Sequence, residues 1–409
     1  MIAPASHTHK LGLRTESTIL LCVRPTQESP TSATIPAPPV LWLIKGLGAG
    51  GAERLLVESS RHGDRALAKP RIAYLLAHKD ALLAEFTEAG VPSECLGARA
   101  SWDLRWLVKL RRLCRSERFA LIHSHSPITT IGARIVLRTL PRARRPRLVT
   151  TEHNVWGSHA RATRLADALT AQVDRRGDET HLAVSEAVRA SMPTRLQAGT
   201  RVIQYGVDVD EVRRAGGERD AARRSLGLSP DDVLVGTVAN LRATKGYPDL
   251  LDAARIVVYR SDQVRFVALG QGPLERELQE RLTKLGLGDR FRFLGYRSDA
   301  VRVMAAFDIF CLASHHEGLP IALMEALVLG LPVVATAVGG VAEIVTDGCE
   351  ATLVPPGQPQ ALADALIALV GDPARRAEMS ARARAKGQTL DVKRAVHEVE
   401  AVYRELLGR

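Results

Sequence analysis

Short runs of apolar residues alternate with longer amphipathic stretches along most of the chain, and this pattern predicts strands separated by helices. In the first half the predicted strands are Val40–Ile44, Arg71–Leu76, Leu121–His123, Leu148–Thr151, His181–Val184 and Arg201–Ile203. In the second half they are Val233–Val238, Val264–Leu269, Phe291–Leu294, Ile309–Leu312, Pro332–Ala335 and Ala351–Val354. The predicted helices include Ala52–Arg61, Trp102–Arg115, Pro248–Tyr259, Pro273–Lys284 and Leu319–Leu329.

This alternation places the chain in the α/β fold class. Strands that alternate with helices connect through right-handed crossovers and pair in parallel. Two such sets predict two Rossmann-like, doubly wound parallel-sheet domains that face each other across a cleft, joined near Gly206–Glu218. The predicted boundaries are a disordered leader or over-extended start at 1–39, a first domain at 40–208, a second at 209–388, and a C-terminal helix at 389–409 that packs back on the first domain.

Composition narrows the class further. Hydrophobic residues make up 46% of the chain and charged residues 25%, which is ordinary for a soluble globular protein. No stretch reaches the roughly 18 uninterrupted apolar residues that span a bilayer, and the short run Ile19–Val23 lacks the plan of a signal peptide. The cysteines are odd in number, widely spaced and without a C-x-x-C pair, so neither a disulfide framework nor a zinc site is indicated. They are Cys22, Cys95, Cys114, Cys311 and Cys349. We expect a cytoplasmic protein.

Positive charge is concentrated in the first predicted domain. The net charge is +11, and residues 40–210, with 27 Lys and Arg against 17 Asp and Glu, contribute +10 of it. The densest part holds Arg111, Arg112, Arg115, Arg134, Arg138, Arg142, Arg144, Arg145 and Arg147. Two interpretations stay open: attraction to an anionic surface such as lipid headgroups or a lipid-diphosphate acceptor, or a solvated helix face. No recognised nucleic-acid-binding module accompanies the charge, so nucleic acid is not predicted as a partner.

A glycine-rich segment follows the first predicted strand. Gly46, Gly48 and Gly51 form a G-x-G-x-x-G pattern before a helix. Glycines let the backbone approach a ligand, and the amides of a helix N-terminus favour phosphate. The same pattern is typical of nicotinamide dinucleotide sites, which require an acidic residue at the end of the second strand. The chain there reads Ala-His-Lys79-Asp80, so an NAD-dependent oxidoreductase stays open as a second function, without a clean partner residue.

The second half carries charged residues where predicted strands end. Arg242 and Lys245 follow Val233–Val238, and the carboxyl ends of parallel strands face the ligand crevice, so both cations suit a leaving diphosphate. Glu317 precedes the helix Leu319–Leu329 and Glu325 lies eight residues on, near the same helix face. Carboxylates accept hydrogen bonds from the paired hydroxyls of sugars and ribose. The amides of Gly318 and Leu319 are expected to face phosphate or sugar.

These segments belong to an ordered set of motifs. The set consists of GGAE (Gly50–Glu53), TEHN (Thr151–Asn154), AVSEAV (Ala183–Val188), YGVD (Tyr205–Asp208), LRATKG (Leu241–Gly246), GQGP (Gly270–Pro273), LGYRSD (Leu294–Asp299), the glutamate pair, and GLPVVATAVGGVAEIV (Gly330–Val345). From about Val40 to the C-terminus the chain resembles family 4 of the retaining glycosyltransferases, the glycosyl transferases group 1, which have the GT-B fold. The resemblance implies an acceptor-binding first domain and a nucleotide-sugar-binding second domain.

The resemblance also implies residue roles. Gly50 and Gly51 would approach the donor phosphates or the acceptor, and Arg242 and Lys245 would hold the diphosphate. Glu317 would bind the donor sugar, and Glu325 would bind the ribose. The backbone of Tyr296 and Arg297 would contact the base, and His153 would reach the transferred sugar. The catalytic set is His153, Glu317, Arg242 and Lys245. The chain departs from the family pattern at three places. Asn240 stands where arginine is common, Tyr205 where asparagine is usual, and Ala351 where glycine is usual.

The implied reaction transfers a sugar from a nucleotide-diphosphate sugar to an acceptor hydroxyl with retention, by front-face attack and with closure of the two domains. We expect no cofactor and no metal, although His123 and His125 could be read with His153 as a metal cluster. The expected acceptor is lipid-linked or a glycan of the cell surface, which would place the protein at the inner face of the membrane. Two further functions stay open on this fold: a nucleotide-sugar epimerase and a sugar-binding protein without catalysis.

Overall fold

The structure is a computed structural model that describes residues 37–48, 50–100, 103–156, 163–165 and 179–408. Positions 1–36 of the predicted leader and Trp102 of a predicted helix lie outside these residues. The strands are β1 Pro39–Ile44, β2 Lys69–Leu76, β3 Ser93–Ala98, β4 Leu121–Ser124, β5 Arg147–Glu152, β6 Glu179–Ala183, β7 Thr200–Val202, β8 Val233–Val238, β9 Val264–Leu269, β10 Phe291–Phe293, β11 Ile309–Leu312, β12 Val333–Thr336 and β13 Ala351–Val354.

Helices cover most of the connections between these strands. In the first domain they are α1 Gly51–His62, α2 Leu83–Glu88, α3 Trp106–Ser116, α4 Pro127–Arg138, α5 Glu186–Ser191 and α6 Thr194–Gln197. They continue with α7 Val209–Ala215, α8 Arg219–Ser225, α9 Tyr247–Arg260, α10 Glu275–Lys284, α11 Ala300–Met304, α12 Ile321–Leu329, α13 Val341–Ile344, α14 Pro359–Val370, α15 Pro373–Gly387 and α16 Val392–Leu407. Short 3₁₀ turns are found at Arg142–Arg144, Ala243–Lys245 and Gly288–Arg290. Every helix in the described ranges is too short or too polar to traverse a bilayer.

Two parallel sheets confirm the predicted fold class. The first has the strand order β3-β2-β1-β4-β5-β6-β7, and the second has the order β10-β9-β8-β11-β12-β13. In each sheet the order reverses between two neighbouring strands, β1 and β4 in the first and β8 and β11 in the second. Ligands of open α/β sheets bind in the crevice beyond the carboxyl ends of the strands at such a reversal. The topology therefore marks two loop clusters, one per sheet.

Twelve of the thirteen strands coincide with predicted apolar runs, because strands covered by helices on both faces are apolar throughout. In β1, Val40, Trp42 and Ile44 enter the core on one face of the sheet, and Leu41 and Leu43 enter the core on the other. The strand that the sequence did not predict is β3. Its sequence SECLGA has few buried residues and lies at the sheet edge, where a strand needs no continuous apolar run.

The C-terminal helix α16 contributes to the core of the first domain. Ala395, Val399 and Val402 are buried there together with β1 and α1 residues. The Tyr403 hydroxyl accepts a hydrogen bond from Trp42 Nε1 at 3.2 Å and lies 2.6 Å from His123 Nδ1. One hydroxyl thus ties the last helix to two strands of the first sheet.

Replacing Tyr403 with phenylalanine should destabilise the protein by about 1–3 kcal/mol, because two buried polar groups lose their partner while the ring still fills its space. Chemical denaturation of the wild type and the variant measures this difference. Tyr259→Phe is the control, since that ring is 91% exposed. Equal stability of Tyr403→Phe and wild type would show that the hydroxyl contributes nothing.

Candidate active site between the two sheets

Two of the predicted charged residues of the second domain, Lys245 and Glu317, meet where β8 and β11 end. Lys245 Nζ lies 2.8 Å from both carboxylate oxygens of Glu317, and Ser314 Oγ donates to the same carboxylate at 2.6 Å. Glu317 is only 6% exposed, so its charge is balanced almost entirely by Lys245. A lysine and a carboxylate in this position can separate when a ligand offers phosphate to one and hydroxyls to the other.

Glycines bring this loop against the first domain. A Cβ placed on Gly318 would lie 1.9 Å from the carbonyl oxygen of His153, and one on Gly339 would lie 1.8 Å from the carbonyl oxygen of Glu317. Ser185 Oγ donates to the Gly318 carbonyl at 3.1 Å, and the Gly340 amide donates to it at 3.1 Å. The backbone at Gly318 is therefore enclosed by both domains, and no side chain fits there.

A second contact across the cleft involves Glu343 of α13. Its carboxylate accepts hydrogen bonds from the amides of Glu186 and Ala187, the first residues of α5, at 2.9 and 2.7 Å, and from Gln204 Nε2 at 2.8 Å. A carboxylate at a helix N-terminus satisfies free amides and the helix dipole. Glu343 was absent from the predicted site, although the GGVAEIV motif that contains it was recognised.

Side chains from both domains form a cationic group around the first glycine loop. Burial lowers the pKa of Lys45, and the positive charges of Lys79 and Arg242 lower it further, which places these three cations close together. Burial raises the pKa of Glu53, and the same cations oppose that shift. The sequence predicted Arg242 but not Lys45 or Lys79. Both lysines come shortly after the end of a predicted strand, and this position could have indicated that they belong to the site.

The glycines of the GGAE motif start α1 at the cleft. Gly50 is the N-cap of α1, and a Cβ on Gly51 would lie 3.3 Å from Cγ1 of Ile321, which begins α12 in the second domain. Leu319 and Ile321 pack against hydrophobic cores of both domains. The predicted phosphate-binding loop therefore faces the second domain directly.

Glu325 has different neighbours from Glu317. Burial raises its pKa to about 7, Arg54 opposes the shift, and Glu58 and Glu211 add to it. As predicted, Glu317 precedes α12 and Glu325 lies within it. Glu317 pairs with Lys245, whereas the charges that act on Glu325 include those of Arg54 and Glu58 in the first domain. They can serve different parts of one ligand.

Tyr296 and Arg297 lie beyond the end of β10. Tyr296 is 41% exposed, and Arg297 forms an ion pair with Asp299 at 2.6 Å. The Gly270 amide donates to the Gly295 carbonyl, which joins this loop to the GQGP segment. Tyr296 and Arg297 are therefore exposed to solvent at the end of this strand.

Three histidines of the first domain, the buried His123 and His125 and the half-buried His153, form a row. His125 Nδ1 lies 3.3 Å from His153 Nε2, and the His153 ring stacks on Tyr205 at 6.1 Å. Burial lowers the pKa of His123 to about 3 and of His153 to about 4, so both rings are neutral at pH 7. Both nitrogens of His123 face hydroxyl partners, Tyr403 and Thr151, and this pairing leaves neither of them for a metal.

The structure corrects one part of the basic cluster. Arg134 is buried and forms a close ion pair with Glu179, with both side chains 4% exposed, so it does not belong to a basic surface. Arg142, Arg144 and Arg145 are exposed as expected.

The fold and this site define a class: two parallel α/β domains with a candidate ligand site between the strand ends of both sheets. Family comparison identifies the class more closely. The family model described as glycosyl transferases group 1 matches residues 218–386, and the one described as glycosyltransferase family 4 matches residues 49–211. The chain belongs to this family of glycosyltransferases, and its fold is GT-B.

Individual relatives agree with this assignment. The lipopolysaccharide core biosynthesis mannosyltransferase LpsB of Rhizobium meliloti is 31% identical over 52% of this chain and 62% of its own length. The D-inositol 3-phosphate glycosyltransferase of Saccharomonospora viridis is 32% identical over 59% of this chain and 58% of its own. The chain thus spans about three fifths of these relatives. The structure of Anabaena HepE with UDP and glucose matches 90% of this chain and 100% of HepE at a TM-score of 0.78 and 22% identity, which shows the shared fold.

Proposed function

We propose that the protein transfers a sugar from a nucleotide-diphosphate sugar to an acceptor hydroxyl in the synthesis of a cell-surface polysaccharide or glycolipid. The observation that carries this proposal is the Lys245–Glu317 pair, held at the second reversal point and enclosed by the first domain through Gly318. The relatives named above act in lipopolysaccharide core and inositol phosphate glycosylation, and HepE was solved with UDP and glucose. The UDP and glucose in the HepE structure support a nucleotide-sugar donor.

In the proposed reaction each group has one task. Lys245 leaves Glu317 for the donor diphosphate, where Arg242 adds a second charge as the sugar bond breaks. Glu317 then accepts hydrogen bonds from sugar hydroxyls, Glu325 from ribose hydroxyls, and the neutral His153 reaches the transferred sugar from the first domain. The backbone at Tyr296 and Arg297 contacts the base. The amides of Gly318 and Leu319 donate hydrogen bonds to the sugar or the phosphate, and Gly50 and Gly51 lie against the phosphate or the acceptor.

Retention and independence from metal are parts of this proposal. The attacking hydroxyl approaches the anomeric carbon from the face that the diphosphate leaves, and a diphosphate oxygen takes its proton. Cationic side chains from both domains, Lys45, Lys79, Arg242 and Lys245, are available to balance the diphosphate charge that a metal ion balances in other enzymes.

A ligand screen tests the donor class. Thermal stability would be measured with UDP, GDP, ADP, their common sugar conjugates, and NAD. We expect a rise with one nucleotide family, lost in Glu325→Ala and Lys245→Ala. A rise with NAD alone would overturn the proposal. Conversion of the bound nucleotide sugar to its epimer in the absence of an acceptor would show that the protein is an epimerase instead. If a sugar is transferred, NMR of the transfer product shows whether the anomeric configuration is retained.

The affinity for the nucleotide sugar should depend on pH through Glu325. Its carboxylate, whose pKa is about 7, accepts hydrogen bonds from ribose hydroxyls best when ionised, so the affinity should rise as the pH rises through 7. A hydrogen bond to a charged acceptor exceeds a neutral one by about 1 kcal/mol, which corresponds to about a fivefold gain. Calorimetric titration from pH 6 to 8 measures this. The intact donor is used because its diphosphate does not titrate there.

Glu325→Gln should bind with nearly constant affinity across this range, and Glu280→Gln, changed at an exposed position of α10, should keep the wild-type slope. A flat wild-type profile would remove Glu325 from the ribose site.

We propose in addition that the first domain binds an anionic membrane surface. Leu104 and Val108 are 63% and 64% exposed, and Val108, Arg112 and Arg115 lie on one face of α3 at i, i+4 and i+7. Apolar residues beside arginines are typical of helices that lie in the headgroup region. This supports placement at the inner face of the cell membrane with a lipid-linked acceptor.

Vesicle sedimentation tests the surface. Binding to vesicles with anionic lipid should exceed binding to neutral ones and fall several-fold in Arg112→Glu, since each basic residue near the surface contributes about 1 kcal/mol. Arg276→Glu, at an exposed position of the second domain, is the control. Equal binding by the Arg112 variant and wild type would reject this surface.

A further inference from the structure

A side-chain cluster outside the predicted transfer machinery links the two domains. Glu58 and His62 lie one turn apart on α1, and Asp208 is the N-cap of α7, where the chain enters the second domain. His62 Nε2 lies 3.1 Å from Asp208 Oδ2 and 3.6 Å from Glu58 Oε2. All three atoms lie within 4.8 Å of one another. Two carboxylate oxygens and one imidazole nitrogen therefore converge on a single point.

One of these oxygens has no hydrogen-bond partner among the described residues. It is Oε2 of Glu58, a residue that is 6% exposed. A buried carboxylate oxygen without a partner is costly, because water no longer solvates it. Since Oε2 is directed at His62 and Asp208, the missing partner belongs at the centre of the cluster.

The other oxygen of each carboxylate already accepts a hydrogen bond from a neighbouring residue. Glu58 Oε1 accepts from Arg61 Nη1 at 3.1 Å, and Asp208 Oδ1 accepts from the Glu211 amide at 2.8 Å. Such outer contacts orient ligand groups in metal sites. They leave one oxygen of each carboxylate turned toward the imidazole nitrogen.

The charges around the cluster do not balance. Asp208 lies beside His62, and the nearby Lys393 pairs with Asp391. The other ion pairs join two arginines to three glutamates, namely Arg54 and Arg61 to Glu58, Glu85 and Glu211. In the described part of the chain, two guanidinium groups thus face four carboxylates. A divalent cation supplies the charge that is missing.

We propose that Glu58, His62 and Asp208 bind a zinc-type divalent cation that ties α1 to the start of the second domain. Ligands of tetrahedral zinc at about 2.0–2.2 Å from the ion lie about 3.4 Å from each other, and the two distances from His62 Nε2 fall on either side of that value. Calcium and magnesium prefer all-oxygen sites, whereas imidazole favours zinc. Water completes the coordination. The cation is structural and takes no part in the proposed transfer.

The test uses the untagged, full-length protein after treatment with chelator. Incubation with ZnCl2 and gel filtration should leave about one zinc per chain by elemental analysis, and the thermal midpoint should rise by several degrees, reversibly with EDTA. Glu58→Gln and His62→Asn should lose the stoichiometric zinc and the rise. Loss of an outer hydrogen bond to a metal ligand weakens metal binding by about 10–100-fold. Loss of Glu58 or His62 itself should weaken zinc binding by more than this. His78→Asn, at an exposed histidine, is the matched control.

Absence of stoichiometric zinc in the wild type would overturn the proposal, and so would unchanged binding in Glu58→Gln. Circular dichroism and the metal-free thermal midpoint show whether the variants fold. If a variant does not fold, cobalt is added to the wild type: an intense visible band of four-coordinate cobalt, displaced by zinc, supports the site, and a six-coordinate spectrum contradicts it. Nucleotide-sugar binding and transfer are measured separately, so failure of this site leaves the proposed function unaffected.

Discussion

Replacing Lys245 with alanine is expected to lower kcat by about 10²–10³-fold, the effect of removing one charge-stabilising group from a transition state. In the proposed reaction the diphosphate gains negative charge as the sugar bond breaks. Lys245 lies 2.8 Å from both oxygens of Glu317, the carboxylate proposed to bind the sugar. Nucleotide release at saturating donor and acceptor measures kcat. Lys284→Ala, an exposed lysine of the same domain, should leave kcat unchanged.

Loss of the lysine also leaves the buried Glu317 charge unpaired, which by itself destabilises the domain. The double variant Lys245→Ala/Glu317→Gln separates the two effects, since a neutral amide needs no counter-ion. We expect the double variant to recover thermal stability and to remain inactive. Recovery of activity together with stability would mean that Lys245 serves only to neutralise Glu317.

Gly318→Ala is expected to lower kcat/KM by about 10²-fold or more, the scale of loss that follows a misplacement of about 1 Å at a reacting centre. The new methyl group would lie 1.9 Å from the His153 carbonyl oxygen, and neither backbone can give way without separating the domains. Kinetics and small-angle scattering check the two parts of this expectation: lower kcat/KM and a larger radius of gyration.

Gly199→Ala is the matched control, because a Cβ there meets nothing within 4 Å. Both variants should show unchanged circular dichroism, since each sheet lies outside the contact. Gly318→Ala with wild-type kinetics would show that the domains do not need this approach for transfer.

A strand could be predicted from the sequence wherever burial on both faces of the sheet produced an apolar run, as in β8. The edge strand β3 was not predicted, because an edge strand needs no such run. Lys245 and Glu317 were found because strand ends of parallel sheets fix where a following residue lies. Lys45 and Lys79 follow strand ends as well and were overlooked, whereas Glu343 was missed because its partners in α5 are distant in sequence. Arg134 was wrongly assigned to the basic surface cluster for a similar reason. Its burial depends on Glu179 of another strand, which no local pattern reveals.

The position of α16 reverses the usual order of folding during synthesis. Domains generally fold from the N-terminus as the chain leaves the ribosome. Here the core of the first domain contains Ala395, Val399 and Tyr403, so it stays incomplete until α16 has been translated. The sheet of the second domain, β8 to β13, ends at Val354 and emerges earlier. The second domain can therefore complete its sheet first, and the first domain completes its core later, when α16 packs against it.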